Sequence, residues 1–219
     1  MSDFLAAFCV GVNQVLFGHP FDTTMVLIQN KKKWLGLSVK DYYRGWRYPL
    51  ISSTIFNCTV FPIYERTLPY TNSSILSGFI SGVIVSPAVF CFQVGKIRQQ
   101  TKQKTTLNHF LTSKGRISTL CRESIAMSSY FSVYYYCKDI GYSPLIGGGI
   151  SGLVNWTITY PIDVIKSRQI AQNISIKKAL KMKHLWRGYP ICATRAIIVN
   201  ASNFWVYEAV KNILDDNIV

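Results

Sequence analysis

With 219 residues, a formal charge of +14 at pH 7 and 49% hydrophobic side chains, the chain is basic and apolar at once. A charge of that size would suit phosphate contacts along a nucleic acid, but none of it falls in the run 67–95, which would be out of place in a soluble nucleic-acid binder. Six cysteines (Cys9, Cys58, Cys91, Cys121, Cys137, Cys192) lie in apolar stretches without C-x-x-C spacing, which excludes a disulfide framework and a zinc site.

The start Met1-Ser2-Asp3 has neither the basic region of a secretory signal nor an Arg-rich transit pattern, so targeting information is expected within the rest of the chain. The first stretch free of Asp, Glu, Lys and Arg is 4–21; a basic segment, 30–47, leads to the second, 48–64. After Glu65 and Arg66 comes 67–95, then basic 98–116, then 124–137 with Arg122 just inside its apolar pattern. The third round repeats this order: 140–162, basic 168–187, and 196–207 with Arg195 just inside. A bilayer core of ~30 Å takes about 20 helical residues, so six spans are expected. The three basic segments hold 17 of the 24 Lys and Arg, while the alternate connections hold only Arg66 and Lys138. That asymmetry places the basic segments on the side that retains positive charge.

The order is a true repeat. Gly11, Gly82 and Gly152 stand 71 and 70 residues apart, and each is followed nine residues later by Pro20, Cys91 or Pro161. Repeats of approximately 1–70, 71–141 and 142–219 follow. Small residues four apart (Ala7 and Gly11, Gly78 and Gly82, Gly148 and Gly152) are expected to let helices approach closely in lipid. The strings at the proline positions are G-H-P-F-D-T-T-M (18–25), C-F-Q-V-G-K (91–96) and Y-P-I-D-V-I-K (160–166). Beyond them stand Y-R-G (43–45), S-K-G (113–115) and W-R-G (186–188), and 19 residues past each glycine is a tyrosine: Tyr64, Tyr134, Tyr207. Proline inside a helix removes a hydrogen bond and bends it; where Cys91 replaces it, Ser86-Pro87 one turn earlier is expected to supply the bend.

With these motifs the chain resembles the mitochondrial carrier family (solute carrier family 25) over roughly residues 4–213, as a compact member. The resemblance implies an all-α membrane protein of six transmembrane helices in three two-helix repeats with threefold pseudosymmetry. It also implies two gates. On the matrix side Asp22 would meet Lys96, Gln93 would meet Lys166, Asp163 would face Met25, and Gln29 and Gln100 would brace, with Ile170 departing from the pattern. On the cytoplasmic side Glu65 would meet Lys138, Tyr135 would meet Lys211, and Glu208 would face Leu68. Each gate would keep one full ion pair of three.

Thirteen residues before Glu65, Tyr135 and Glu208 stand Ser52, Arg122 and Arg195. Equal offsets put them at one depth, facing a shared cavity, with Ser53, Phe56 and Asn57 beside them. Arg122-Glu123 can hold a substrate carboxylate in the guanidinium fork and its ammonium on the adjacent acid, with Arg195 as a second anchor. Within the family, that pair and the stretches 148–168 and 195–201 are similar to the carnitine/acylcarnitine and basic amino acid carriers. Arg195 could equally read a phosphate, so a nucleotide carrier stays open, as does a transport-inactive membrane adaptor.

Arg44-Gly45, Lys114-Gly115 and Arg187-Gly188 are the lipid-binding candidates, expected to hold cardiolipin phosphates. His19, His109 and His184 are isolated, and no nucleophile motif, phosphate loop or metal-ligand cluster appears, so neither enzyme activity, cofactor nor metal is expected. The expectation is a monomeric, multi-pass antiporter of the mitochondrial inner membrane for small solutes, working by alternating access and without nucleic-acid partners.

Overall fold

The computed structural model describes residues 2–199, 202 and 206. These form helices and no strand: α1 (Ser2–Gln29), α2 (Val39–Tyr42), α3 (Arg47–Thr71), α4 (Ser74–Gln100), α5 (Leu107–Thr112), α6 (Arg116–Asp139), α7 (Pro144–Gln172), α8 (Ile176–Lys181) and α9 (Tyr189–Val199). The order long, short, long occurs three times.

Local chemistry sets the boundaries. Ser73 and Ser143, 70 residues apart, cap α4 and α7 by accepting from the backbone N–H of Leu76 and Ile146. Gly45, Gly115 and Gly188 stand just before α3, α6 and α9 with φ of 81°, 117° and 94°, a region that side chains disfavour. They also lie close to other helices. A Cβ would be 3.3 Å from the Gln99 Cβ at Gly45, 3.6 Å from that of Gln169 at Gly115, and 3.9 Å from that of Ile28 at Gly188. Residues 28, 99 and 169 are equivalent in the repeat, so each turn rests on the long helix that opens the next unit, in a closed cycle.

The prolines inside α1 and α4 do not interrupt the helices. Each frees the carbonyl four residues earlier, and a hydroxyl takes it up: Tyr43 donates to Leu16 at 2.7 Å, and Ser86 donates to Val83 at 2.9 Å. Each freed carbonyl thus keeps a donor, the Ser86 contact partly buried and the Tyr43 contact exposed.

Small-residue packing follows the sequence expectation in one unit only. A Cβ at Gly82 would fall 2.5 Å from the Glu123 carbonyl oxygen, and one at Gly78 2.6 Å from that of Met127, so α4 lies backbone-to-backbone on α6. Gly11 and Gly152 have open space around their Cβ positions, and Gly148 meets only the Tyr130 hydroxyl at 3.9 Å. In α7 the close-packed small residues are instead Gly147, against Cys137 and Tyr134, and the fully buried Ser151 one turn on.

Apolar clusters fill the rest. Val60, Tyr64, Val85, Met127 and Phe131 join α3, α4 and α6; Val26, Phe90, Val94, Ile97 and Ile170 join α1, α4 and α7; Met25, Tyr160, Val164 and Cys192 join α1, α7 and α9. Among the described residues, α4 is the one helix long and apolar enough by composition alone to cross a membrane. Asp22 follows the uncharged run of α1, Asp163, Lys166 and Arg168 follow that of α7, and Arg122 and Glu123 lie within α6.

Candidate functional site

The polar residues that interrupt the helices converge. A cavity of about 300 Å³ is lined from α1 by Gln14, from α3 by Tyr48, Pro49, Ser52, Ser53 and Phe56, from α4 by Val89, Phe92, Gln93 and Lys96, and from α6 by Arg122 and Glu123. A smaller recess shares Gln14, Pro49 and Ser53 with it and adds Val15, His19, Asp22 and Arg195. Of the residues expected to ring one hollow, Ser52, Arg122 and Glu123 line the cavity itself and Arg195 lines the adjoining recess. Asn57 lies outside the residues whose side chains are described.

Each charge in this region has a partner. Arg122 Nη1 lies 2.8 Å from Glu123 Oε2, its Nε 3.9 Å from Asp163 Oδ1, and its guanidinium carbon 5.0 Å from the Trp156 ring centroid. Glu123 is fully buried, and its Oε1 has no protein partner. Asp22 is bridged twice, by Lys96 Nζ at 2.7 Å on Oδ2 and by Arg195 Nε at 2.6 Å on Oδ1. Gly18 makes room for that second contact: a Cβ there would lie 3.3 Å from Arg195 Nη2. Ser52 is neutral, and its hydroxyl donates to the Pro49 carbonyl at 3.3 Å.

The gate residues do not all sit as expected. Asp22 and Lys96 bridge α1 and α4. Lys166 turns to Asp163 of its own helix at 2.8 Å, while Gln93 lines the cavity instead of meeting Lys166. A carboxylate one turn away is the stronger partner for a buried ammonium than a neutral amide. Asp163 reaches α1 through Gln29 Nε2, which donates to it at 3.4 Å, and Met25 beside it is packed on Tyr160, Val164 and Cys192. Gln100 donates to Thr23 Oγ1 at 3.0 Å. Below the ion pairs the helix ends are tied by side chains donating to carbonyls: Arg168 Nε to Gln29, Lys32 Nζ to Thr101, and Gln103 Nε2 to Ala171.

At the other end no ion pair joins Glu65 to Lys138; both are exposed, and the Lys138 ammonium sits 5.8 Å over the Tyr135 ring. The rings of Tyr64, Phe131 and Tyr135 pack there, with Tyr64 and Phe131 stacked at 3.7 Å. Glu208 and Lys211 lie outside the described residues.

Arg44 is exposed, with Lys40, Tyr43, Gly45, Trp46, Arg47 and Gln99 around a hollow of about 420 Å³. Lys114 N–H donates to Asn173 Oδ1 at 3.1 Å, and Arg187 is exposed. His19 acts structurally, since its ring nitrogen Nε2 donates to the Arg44 carbonyl at 2.9 Å and fixes the Tyr43-Arg44-Gly45 turn against α1.

Sequence reasoning missed Gln14, Trp156 and Arg168. Gln14 and the preceding Asn13 are the amides of the otherwise apolar run 4–21, a visible signal. Arg168 is fully buried, and its guanidinium donates to carbonyls of Gln29, Ala179, Lys183 and His184. Its only trace in the sequence is Arg98, 70 residues earlier. Trp156 carries no such mark.

Residues 140–217 match the family described as Mitochondrial carrier protein. The mitochondrial basic amino acids transporter of Homo sapiens is 31% identical over 219 positions, covering 78% of this chain and 72% of that protein. The mitochondrial arginine transporter of Arabidopsis thaliana is 28% identical over 263 positions, covering 94% and 89%. Mitochondrial substrate carrier family protein S of Dictyostelium discoideum is 26% identical over 278 positions, covering 98% of each. That alignment is longer than the 219 residues of this chain, so the relative carries internal segments that this chain lacks.

Proposed function

This chain belongs to the mitochondrial carrier family, multi-pass transporters of small solutes in the mitochondrial inner membrane and not enzymes, and from that premise we propose that it carries basic amino acids by alternating access. The observation that carries the reading is the Arg122–Glu123 pair in the cavity wall, joined at 2.8 Å, with one carboxylate oxygen of Glu123 unpartnered. A zwitterion carries a carboxylate and an ammonium, and a guanidinium beside a carboxylate offers a complement to each. Buried charges inside a membrane protein are costly and mark a pathway. The names of the relatives, for basic amino acids and for arginine, favour basic amino acids over other zwitterions.

In this reading α1, α3, α4, α6, α7 and α9 are the six spans, arranged with threefold pseudosymmetry as repeats 1–70, 71–141 and 142–219. The cyclic contacts of Gly45, Gly115 and Gly188 support it. Of the charged residues in α1 and α6, Arg122 and Glu123 line the cavity and Asp22 lines the adjoining recess. The end closed by Asp22–Lys96 and the tied helix termini faces the matrix, and the end where Glu65 and Lys138 stand apart opens to the cytosol. Ser52, Arg122, Glu123 and Arg195 form the substrate site. Cardiolipin headgroups are the ligands of the Arg44-Gly45, Lys114-Gly115 and Arg187-Gly188 turns, and the carrier works as a monomer.

The test is uptake of labelled lysine, ornithine, arginine, carnitine and ATP into proteoliposomes. Exchange of the basic amino acids, lost in Arg122→Ala with the protein still folded, is the expected result. Uptake of ATP alone would make it a nucleotide carrier, and uptake of nothing would make it an adaptor.

A further inference from the structure

We infer that Gln14 of α1 is a specificity-determining residue: its side-chain amide reads an N–H group at the tip of the substrate side chain, by hydrogen bonding and not by charge. The inference rests on the basic amino acid reading above and names the residue that meets the far end of the solute. It starts from the charges. Asp22 already has Lys96 and Arg195, Asp163 has Lys166, and Glu123 beside Arg122 suits the α-ammonium. No acid is left over for a second cation, so the distal group has to be met by uncharged polar side chains.

The hydroxyls of Ser52 and Ser53 in the cavity wall donate to their own backbone, at Pro49 and Leu50. Gln14, Tyr48 and Gln93 line the same wall and make no hydrogen bond to described residues. The ring of Tyr48 lies on Gly95 of α4 and fills the space that a side chain there would take. Gln93 stands three residues before Lys96, close to the bridge that closes the cavity. Gln14 has neither duty. It is half-buried and stands eight residues before Asp22, about 12 Å along α1 from that bridge. Together with Pro49 and Ser53 it lines both the cavity and the recess. A cavity of about 300 Å³ takes one small solute, so a molecule whose head group lies on Arg122 and Glu123 has its tip within the same walls.

The fold does not ask for an amide at this place. The equivalent residue 71 positions on is Val85, buried in the cluster with Val60, Tyr64 and Phe131. In α1 the position faces a hollow, where an amide serves a ligand and not the core. The oxygen of a glutamine amide accepts from any N–H, and its nitrogen donates to any oxygen. Guanidinium, ammonium and ureido tips all satisfy it, so arginine and its uncharged isostere citrulline should be carried alike. An aliphatic tip strips water from the amide and returns no partner, and a site built to bond an N–H rejects the analogue that lacks one.

The experiment measures uptake of labelled arginine, citrulline and norleucine into proteoliposomes of the wild-type chain, Gln14→Leu and Gln14→Glu. The wild type is expected to carry arginine and citrulline within about threefold of each other, and norleucine about tenfold more slowly, the worth of one hydrogen bond. Leucine keeps the bulk of glutamine without its hydrogen bonds. Gln14→Leu should therefore bring arginine and citrulline down to the norleucine rate while norleucine itself, the control for an intact transport cycle, is not slowed. Gln14→Glu puts an acid at the same place and should raise the arginine-to-citrulline ratio about tenfold. A Gln14→Leu protein that keeps the wild-type ratios among the three solutes overturns the assignment, and so does a wild type that carries arginine but not citrulline; both leave the basic amino acid reading standing. A wild type that moves no arginine overturns that reading and this assignment with it. Should Gln14→Leu be inactive, Gln14→Glu decides: a raised arginine-to-citrulline ratio supports the assignment, and an unchanged one overturns it.

Discussion

The junction of α1 with α4 and the junction of α7 with α1 carry the same repeated motif but are held by different forces. Between α1 and α4 the acid and base belong to different helices, Asp22 and Lys96, and the bridge is a charge across an interface. Between α7 and α1 the base position is Met25, so Asp163 pairs inside its own helix with Lys166 and reaches α1 through the Gln29 amide. Apolar packing of Met25 on Tyr160, Val164 and Cys192 supplies what the missing pair would have done. Hydrogen bonds from Arg168 to the Gln29 carbonyl and from Asn30 to Ser167 tie the same junction at its end.

The contrast can be broken first at its strong side. Lys96→Ala removes the cross-helix partner on Asp22 Oδ2 and should destabilise by about 2 kcal/mol, since Arg195 still neutralises the carboxylate, whereas Lys166→Ala should cost about 1 kcal/mol because that pair lies within one helix and Asp163 keeps Gln29 and Arg122. Melting of the purified variants in detergent checks the order; equal losses would mean the two junctions do not differ. Met25→Lys supplies the base that the weak junction lacks. It should bias the population toward the state closed at that end and slow exchange several-fold, since turnover stalls when one state is too deep. An unchanged exchange rate would refute that balance. Gln29→Ala should cost about 1 kcal/mol by removing the one polar tie between Asp163 and α1, measurable as a lower melting temperature.

The smallest effect lies outside the membrane. The hydrogen bond from Lys102 at 2.8 Å holds the Asp41 carboxyl below the usual carboxylate range, with Arg44 adding to it. A lowered carboxylate contributes above its unfolded value of about 4 and loses that contribution as pH falls through the folded one. Asp41→Asn should therefore melt slightly below the wild type at pH 7, and the gap should close in acid.

How much of this was legible in the sequence depends on what each residue does. The 70-residue period marked the paired long helices and the glycines before α3, α6 and α9, because a positive φ is a local demand that the same residue meets each time. Asp22 opposite Lys96 was implied by the resemblance to the family, and the two lie 2.7 Å apart. The close approach of Gly147 to Cys137 and Tyr134 could not be placed from the repeat, since it is set by side chains across the α6–α7 interface. Lys166 was out of reach for a related reason: its choice between Gln93 and Asp163 is a competition among neighbours. Arg195 was expected in the cavity as a substrate anchor, but nothing local announced that it would lie on Asp22, a contact that depends on the missing side chain at Gly18.

The most direct measurement places a single cysteine at Ser52, with Cys91, Cys121 and the remaining cysteines changed to serine, and follows its labelling by a membrane-impermeant thiol reagent. Labelling that arginine or lysine blocks and ATP does not is the predicted result. A cysteine that never reacts, or one that reacts at the same rate with and without basic amino acids, would contradict a solute site beside Arg122 and Glu123.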